Sequence, residues 1–340
     1  MSRRILSLKV GSLNINGGLV SKFRSPDLLN LLKKHDIFCF IESWLGPNDV
    51  CPKVQGYTSF RSDRKNKNKH ALRHSGGILI YCKHEICGGV TKLDSTHPDM
   101  LWIKLDKVFF GLEHDMFMCS IYIPPETSTR RSEFDSFEQI RSDIEKYSTQ
   151  GNIALIGDLN SRVGMRQPSQ YEINPTGRSL DYIESIETPL RFSQDARLNT
   201  YGRKLLQTLT DYDLLIVNGC TTGDLSGSFT CEQYSGSSVV DMFITHRDII
   251  SRIAYFKVGE FDWFSDHAPV SVSIKVNVDK TVKMPKYWKK MTKLIQNWNQ
   301  ETKIRFSEKL ASDSIKSELD TFCETRFEDS NSITAAFTGI

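Results

Sequence analysis

The run Ile37-Phe38-Cys39-Phe40-Ile41 is apolar at every position and only five residues long. A strand with one wet face would alternate, so this one is expected to be covered on both sides. Similar β-like runs recur at 5–13, 76–82, 100–105, 116–123, 152–157, 214–218, 239–245, 253–258 and 270–275, with the first apolar run extending over 37–42. Helical patterns are fewer. Ser25-Pro26-Asp27 offers an N-cap, a proline at the first helical position and an early acid before Leu28, Leu29, Leu31 and Leu32. Ser132 opens a second segment, to 147, whose Phe134, Phe137, Ile140 and Ile144 share a face, and a third covers about 202–212. Many doubly covered strands with few helices predict stacked sheets with helices outside. With 39% hydrophobic residues, including 19 Phe, the chain can fill such a core, which excludes wholesale disorder.

Other classes fall away on simpler grounds. The net charge of +3 is too small to name a partner. Eight cysteines lie at 39, 51, 82, 87, 119, 220, 231 and 323, with no CxxC pair, so a disulfide framework or structural zinc site is not expected and the thiols read as reduced core residues of an intracellular protein. No apolar run reaches the roughly 18 residues that cross a bilayer, and the N-terminus lacks the apolar region of a signal peptide. There is neither a Gly-rich loop with Lys-Ser/Thr nor a Gly-x-Ser-x-Gly elbow. Composition shifts near 278: six lysines between 280 and 293 come without an acid. Two regions are therefore expected, a catalytic domain over 1–278 and a basic linker with a helical extension over 279–340. The sequence stops at Phe337-Thr338-Gly339-Ile340 without a helix-stop signal, which points to a longer parent chain.

Five polar clusters sit at strand ends: Asn14-Ile15-Asn16-Gly17, Glu42-Ser43-Trp44, Tyr122-Ile123-Pro124-Pro125, Gly157-Asp158-Leu159-Asn160 and Ser265-Asp266-His267. Singly, each reads as a turn, a cap or a solvated acid. Together, on the strand ends of a layered protein, they can converge on one solvent-facing rim. Such a rim offers hard oxygen ligands suited to magnesium or manganese, a histidine beside an acid, and amides that hold a phosphate. That is the equipment of metal-assisted phosphodiester hydrolysis.

In this order the clusters resemble the endonuclease/exonuclease/phosphatase superfamily, and within it the apurinic-like endonuclease domains of non-LTR (LINE-type) retrotransposons. The resemblance covers about 5–276. Its most specific pieces are Gly157-Asp158-Leu159-Asn160-Ser161-Arg162, Ser238-Val239-Val240-Asp241-Met242-Phe243 and Ser265-Asp266-His267, while the stretch from Thr200-Tyr201-Gly202 to Asn218-Gly219 resembles the retrotransposon branch. It implies an α+β fold, a four-layer sandwich of two packed mixed β-sheets flanked by helices. It further implies that Glu42, with Asn14 and Asp266 nearby, holds Mg2+ (or Mn2+ in its place), and that Asn16 assists metal or phosphate. Tyr122 would contact the scissile phosphate, Asp158 would activate water, and Asn160 would align water and phosphate. His267 would bind the phosphate with Asp241 orienting it, and Asp266 would lie beside the leaving oxygen.

The implied partner is double-stranded DNA, with element RNA reached through a larger parent polyprotein and no membrane, and the implied place of action is the nucleus. Residues 61–74 carry six Lys/Arg and one acid. Arg61, Arg64, Lys65, Lys67 and Lys69 read either as a solvated loop or, beside such a rim, as a phosphate grip. The Gly- and Ser-rich stretch 222–238 is where related endonucleases carry a groove-probing hairpin. Two readings compete with target-DNA nicking: abasic-site repair or inositol/lipid phosphatase activity on the same fold, and a non-catalytic transposon-derived nucleic-acid binder.

Overall fold

The computed structural model describes residues 6–63, 75–94, 97–126, 135–168 and 188–278. The extension expected over 279–340, most of the basic stretch and Ser132 lie outside these residues.

Fourteen strands and five α-helices are described. The first sheet contains β1 (Leu6–Asn14), β2 (Ile37–Ile41), β3 (Tyr57–Ser62), β4 (Ile78–Lys83), β13 (Ile253–Val258) and β14 (Val270–Val276), in the order β13-β14-β1-β2-β4-β3. The second contains β5 (Val90–Lys92), β6 (Met100–Leu105), β7 (Asp115–Tyr122), β8 (Gly151–Asp158), β9 (Leu214–Ile216) and β12 (Asp241–His246), in the order β5-β6-β7-β8-β12-β9. A small hairpin, β10 (Cys231–Gln233) and β11 (Gly236–Ser238), stands apart. Each large sheet has one parallel pair at its centre, β1 with β2 and β7 with β8; the other pairings are antiparallel. Two mixed six-stranded sheets carry the fold.

The strand period explains the layers. Ile37 and Cys39 of β2 enter the central cluster with Leu8, Val10, Ile103, Met118, Ala154 and Ile156, which joins the two sheets. Phe38 and Phe40 point the other way, packing with Leu28 and Leu32 of α2 (Pro26–Lys33) and Leu19 of α1 (Leu19–Lys22). On the far side, Phe117, Cys119, Ile153 and Leu155 pack against α4 (Ser136–Ser148) and α5 (Thr200–Asp211), through Ile140, Ile144, Leu205 and Leu209. The order is helix, sheet, sheet, helix. The remaining helix, α3 (Lys107–Phe110), is a single turn.

All ten expected strands form. Strands β3 and β5 are not among the expected runs, and β10 and β11 are foreshadowed only by the hairpin that the resemblance implies; β3 alternates only weakly between partly buried and exposed positions, and the others are three residues long. The second long helix starts at Ser136, its first turn capped by Asp135, whose carboxylate accepts from Phe137 N. Among the described residues no helix is long and apolar enough to cross a membrane.

Candidate active site

The two central parallel pairs deliver the site. Asn14 ends β1 and Glu42 follows β2; Tyr122 ends β7 and Asp158 ends β8. Tyr122, Asp158 and Asp241 form one row across β7, β8 and β12, because Asp158 is in register with both neighbours. The row from the second sheet meets the first at Asn14, whose Nδ2 donates to Asp158 Oδ2 at 2.9 Å and to Glu42 Oε1 at 3.1 Å. Its Oδ1 accepts from Asn16 N at 3.0 Å, so the amide is held in one orientation. Trp44 Nε1 donates to the other Glu42 oxygen at 3.1 Å. Asn16 Nδ2 then reaches Asp266 Oδ1 at 3.0 Å, and Gln233 Nε2 reaches Asp266 Oδ2 at 3.0 Å.

His267 completes the arrangement. Its Nδ1 lies 2.7 Å from Asp241 Oδ2, and its Nε2 lies 3.9 Å from Asp158 Oδ2. Asp158 also accepts from Asn160, from N at 3.0 Å and from Nδ2 at 3.2 Å, while Asn160 Nδ2 donates to Ile123 O at 2.8 Å. The expected solvent-facing rim needs correction for the central triad. Asp158, Asp241 and His267 are only 1%, 2% and 6% exposed. Asn16 is exposed, whereas Glu42, Asn160 and Asp266 are half-buried. A carboxylate-imidazole core is thus lined outward by amides and acids that can meet a substrate.

Burial sets the electrostatics. It raises the Asp158 carboxyl, helped by the negative Asp241, to about 7 against the opposing pull of His267, Asn14 and Asn160. Burial alone would lower His267, but the charge and hydrogen bond of Asp241 outweigh it and hold the imidazolium well above the usual histidine range. Both shifts run the same way: each group holds its proton more tightly than its free counterpart.

The backbone is held in costly conformations at the same places. Asn16, Glu42 and Asn160 have φ of 48°, 53° and 47°, in the left-handed region that side chains other than glycine seldom adopt. Gly157 has φ 142°, and a Cβ there would stand 2.1 Å from Ile121 O and 2.6 Å from Ile41 Cδ1. A larger residue before Asp158 would collide with the neighbouring β7 backbone in the same sheet.

Sequence reasoning missed the residues that hold the site through the backbone. Asn199, the N-cap of α5, accepts from Gly202 N and Arg162 N through Oδ1 and donates to Asn160 O at 3.0 Å. Asn218 donates to Asp241 O and accepts from Phe243 N; Thr230 Oγ1 accepts from Val240 N and Asp241 N. Arg162 forms a two-pronged pair with Asp195, at 2.7 and 2.6 Å, and donates to Ser237 O at the base of the hairpin. Arg162, Asn218 and Thr230 fall within stretches the resemblance singled out, and Asn199 next to one, but nothing in the sequence marks these side chains as supports of the site.

Of the basic stretch, Arg61 is described, and it turns inward. It bonds Asp63 Oδ2 at 2.6 Å, Gly46 O at 2.6 Å and Asp49 O at 2.9 Å. This ties the end of β3 to the 46–49 turn instead of offering a free cation to phosphate. Arg64, Lys65, Lys67 and Lys69 lie outside the described residues. The hairpin expected within 222–238 is present, with Tyr234 at its tip fully exposed.

Asn14 and Asn16 hydrogen-bond Glu42, Asp158 and Asp266 into one network, and the Asp241–His267 pair adds a fourth carboxylate, its imidazole Nε2 lying 3.9 Å from Asp158 Oδ2. Glu42 and Asp266 supply hard oxygen atoms and accept hydrogen bonds from neutral amide and indole N–H groups. That donor set fits a hard divalent cation.

Among solved structures, the chain is similar to an AP endonuclease from Leishmania major, at TM-score 0.58 and 14% identity over 81% of this chain and 92% of that one. It is also similar to the 3′ phosphatase NExo from Neisseria bound to a product DNA hairpin, at TM-score 0.52 and 14% identity over 79% and 99%. The endonuclease domain of the telomere-specific non-LTR retrotransposon TRAS1 aligns at TM-score 0.49 and 16% identity over 78% and 98%. At such identities the first two likenesses speak for the fold. No curated protein matches the chain. The model of the Endonuclease/Exonuclease/phosphatase family matches residues 11–267, a span that runs from before Asn14 to His267, and the chain belongs to that family.

Proposed function

We propose that this protein is a divalent-metal-dependent endonuclease that nicks double-stranded target DNA for retrotransposon insertion. The observation that carries the reading is the Asp158–His267–Asp241 centre joined through Asn14 to Glu42. Asp158, whose raised proton affinity suits it to act as a base, takes a proton from the attacking water, and its three hydrogen bonds fix the carboxylate that does so. Asn160 aligns that water. His267, held protonated by Asp241, donates to a phosphate oxygen as negative charge builds there. Tyr122, one strand away in the same row, adds a phosphate contact. Water bonds to phosphorus, the P–O3′ bond breaks, and O3′ leaves to become a 3′-hydroxyl. Glu42, Asn14 and Asp266 would hold the cation, Mg2+ or Mn2+, which supplies Lewis-acid stabilisation of phosphate charge when bound.

DNA is favoured over a small phosphate ester by the exposed hairpin beside Asp266 and by the basic residues 64–74. A structural relative in complex with a DNA hairpin supports the same class of substrate. The retrotransposon role draws support from the likeness of the 200–219 stretch to that branch; its Asn218 donates to Asp241 O, and Asn199, just before the stretch, donates to Asn160 O. It carries with it a nuclear place of action and element RNA within a longer polyprotein. Supercoiled plasmid, an abasic duplex and a phosphorylated inositol, each given with Mg2+, discriminate the readings. Preference for intact plasmid supports the proposal; turnover confined to the abasic duplex or the inositol phosphate overturns it.

A further inference from the structure

Cys231 has no part in the chemistry above, yet its placement is constrained. It pairs with His267 through an isolated backbone bridge, Glu232 N donates to Asp266 O at 2.9 Å, and Ala268 N donates to Thr230 O at 2.8 Å. This short ladder brings Cys231 beside His267 and Asp266. Cys231 Sγ, an Asp266 carboxylate oxygen and a His267 ring nitrogen lie within 4.8 Å of one another. Zinc bond lengths place tetrahedral ligands about 3.3–3.8 Å apart, so modest side-chain movement closes the set.

The surroundings resemble the outer shell of a zinc site more than that of a magnesium site. Asp241 holds His267 Nδ1 at 2.7 Å, so that once Nε2 gives up its proton to an incoming metal the carboxylate supports the ring as a ligand, the carboxylate–histidine–zinc arrangement. A thiolate beside an imidazole favours a soft cation over Mg2+. Asp158 Oδ2, 3.9 Å from Nε2, or a water can supply the fourth position.

We propose that Cys231, His267 and Asp266 form a second, thiophilic cation site, with Zn2+ as its ligand, overlapping the reaction centre. Binding displaces the thiol proton and any proton on Nε2. Zn2+ there occupies His267 and Asp266 and blocks the proposed nicking; that consequence rests on the function proposed above, whereas the site itself does not.

The test reads the metal directly. X-ray absorption of the native protein with one equivalent of Zn2+ should show a single sulfur at about 2.3 Å with nitrogen and oxygen neighbours. With Co2+ as the reporter, a thiolate-to-metal charge-transfer band should appear in the native protein and in Cys87→Ser, and vanish in Cys231→Ala. Cys87 is the necessary control because it is hydrogen-bonded to Cys82 and offers a competing pair of thiols. Cys231→Ser should weaken Zn2+ binding by more than the roughly 10–100-fold that loss of an outer-shell partner costs. A sulfur-free or two-sulfur zinc shell, or a band that survives Cys231→Ala, overturns the site. In Mg2+-supported nicking, Zn2+ should inhibit the native protein and spare Cys231→Ser relative to its own zinc-free rate; equal inhibition of both overturns the proposed overlap. A native protein with the single-sulfur shell but no nicking under any condition retires the endonuclease reading and leaves the cation site standing.

Discussion

Asp241 Oδ2 stands 2.7 Å from His267 Nδ1, and this contact fixes both the ring and its charge. Its consequence for stability has a definite sign. Unfolded histidine releases its proton near 6.5, whereas folded His267 holds its proton to well above that value. Below about pH 6.5 the contribution is complete; as pH rises further the unfolded state loses its proton first, and stability falls. Asp158, raised to about 7, acts in the same direction between about 4 and 7, because there the unfolded carboxyl ionises while the folded one resists. Thermal unfolding of the metal-free protein should therefore show a melting temperature that declines from pH 5 to pH 8. Asp241→Asn should flatten the part of that decline above pH 6.5; an unaltered profile would mean that the pair is not holding the proton.

Replacing Asp158 or His267 with Ala should each slow nicking by at least about a hundredfold, the lower range for a positioned base or a charge-stabilising donor. Both side chains are buried, so circular dichroism and urea melts must accompany the rates. Folded variants that nick at near-parental rates would put the reaction centre elsewhere.

Asn199 joins a helix cap to the catalytic loop. Asn199→Ala should cost about 1–2 kcal/mol in urea unfolding, as lost caps do, and should also lower the nicking rate because Asn160 O loses its amide donor. Asn199→Asp keeps the two accepted bonds and removes only that donor. Its stability should lie nearer the parent's than the alanine variant's does, while its rate stays depressed. Rates that merely track stability in both variants would leave Asn199 as a cap alone.

Charge in the basic stretch should divide in two. If Lys65, Lys67 and Lys69 grip phosphates, changing all three to Ala should flatten the slope of log affinity against log salt by about two to three units. Arg61→Ala should leave the slope near the parent's and instead loosen the 46–49 turn, since that guanidinium is spent on Asp63, Gly46 and Asp49. A reversed pattern, with the slope sensitive to Arg61 alone, would contradict the assignment.

How far the sequence speaks depends on which force sets each feature. Ile37–Ile41 reads as a doubly covered strand because burial on both faces leaves no polar position, and it is one. Tyr57–Ser62 and the Cys231–Ser238 hairpin do not read as strands, because their pairing rests on backbone hydrogen bonds that side-chain periodicity does not record. Strand order is likewise set by contacts far apart in the chain: β12 lies between β8 and β9, placing Asp241 opposite Asp158. The candidate site side chains stand out as polar residues at the ends of apolar runs. Asn199, Asn218 and Thr230 act on main-chain groups, and as cap and turn residues they carry no mark of that role.

The most direct test of the central claim examines the end left at the nick. Supercoiled plasmid is incubated with Mg2+ and protein, and the relaxed circles are then offered to a DNA polymerase with labelled nucleotides. Metal-dependent relaxation followed by immediate extension, with both lost in His267→Ala, is the result this account predicts: hydrolysis at Asp158 and His267 that leaves a 3′-hydroxyl. Plasmid that stays supercoiled with both Mg2+ and Mn2+, or nicks that extend only after a phosphatase has removed a 3′-phosphate, would contradict it.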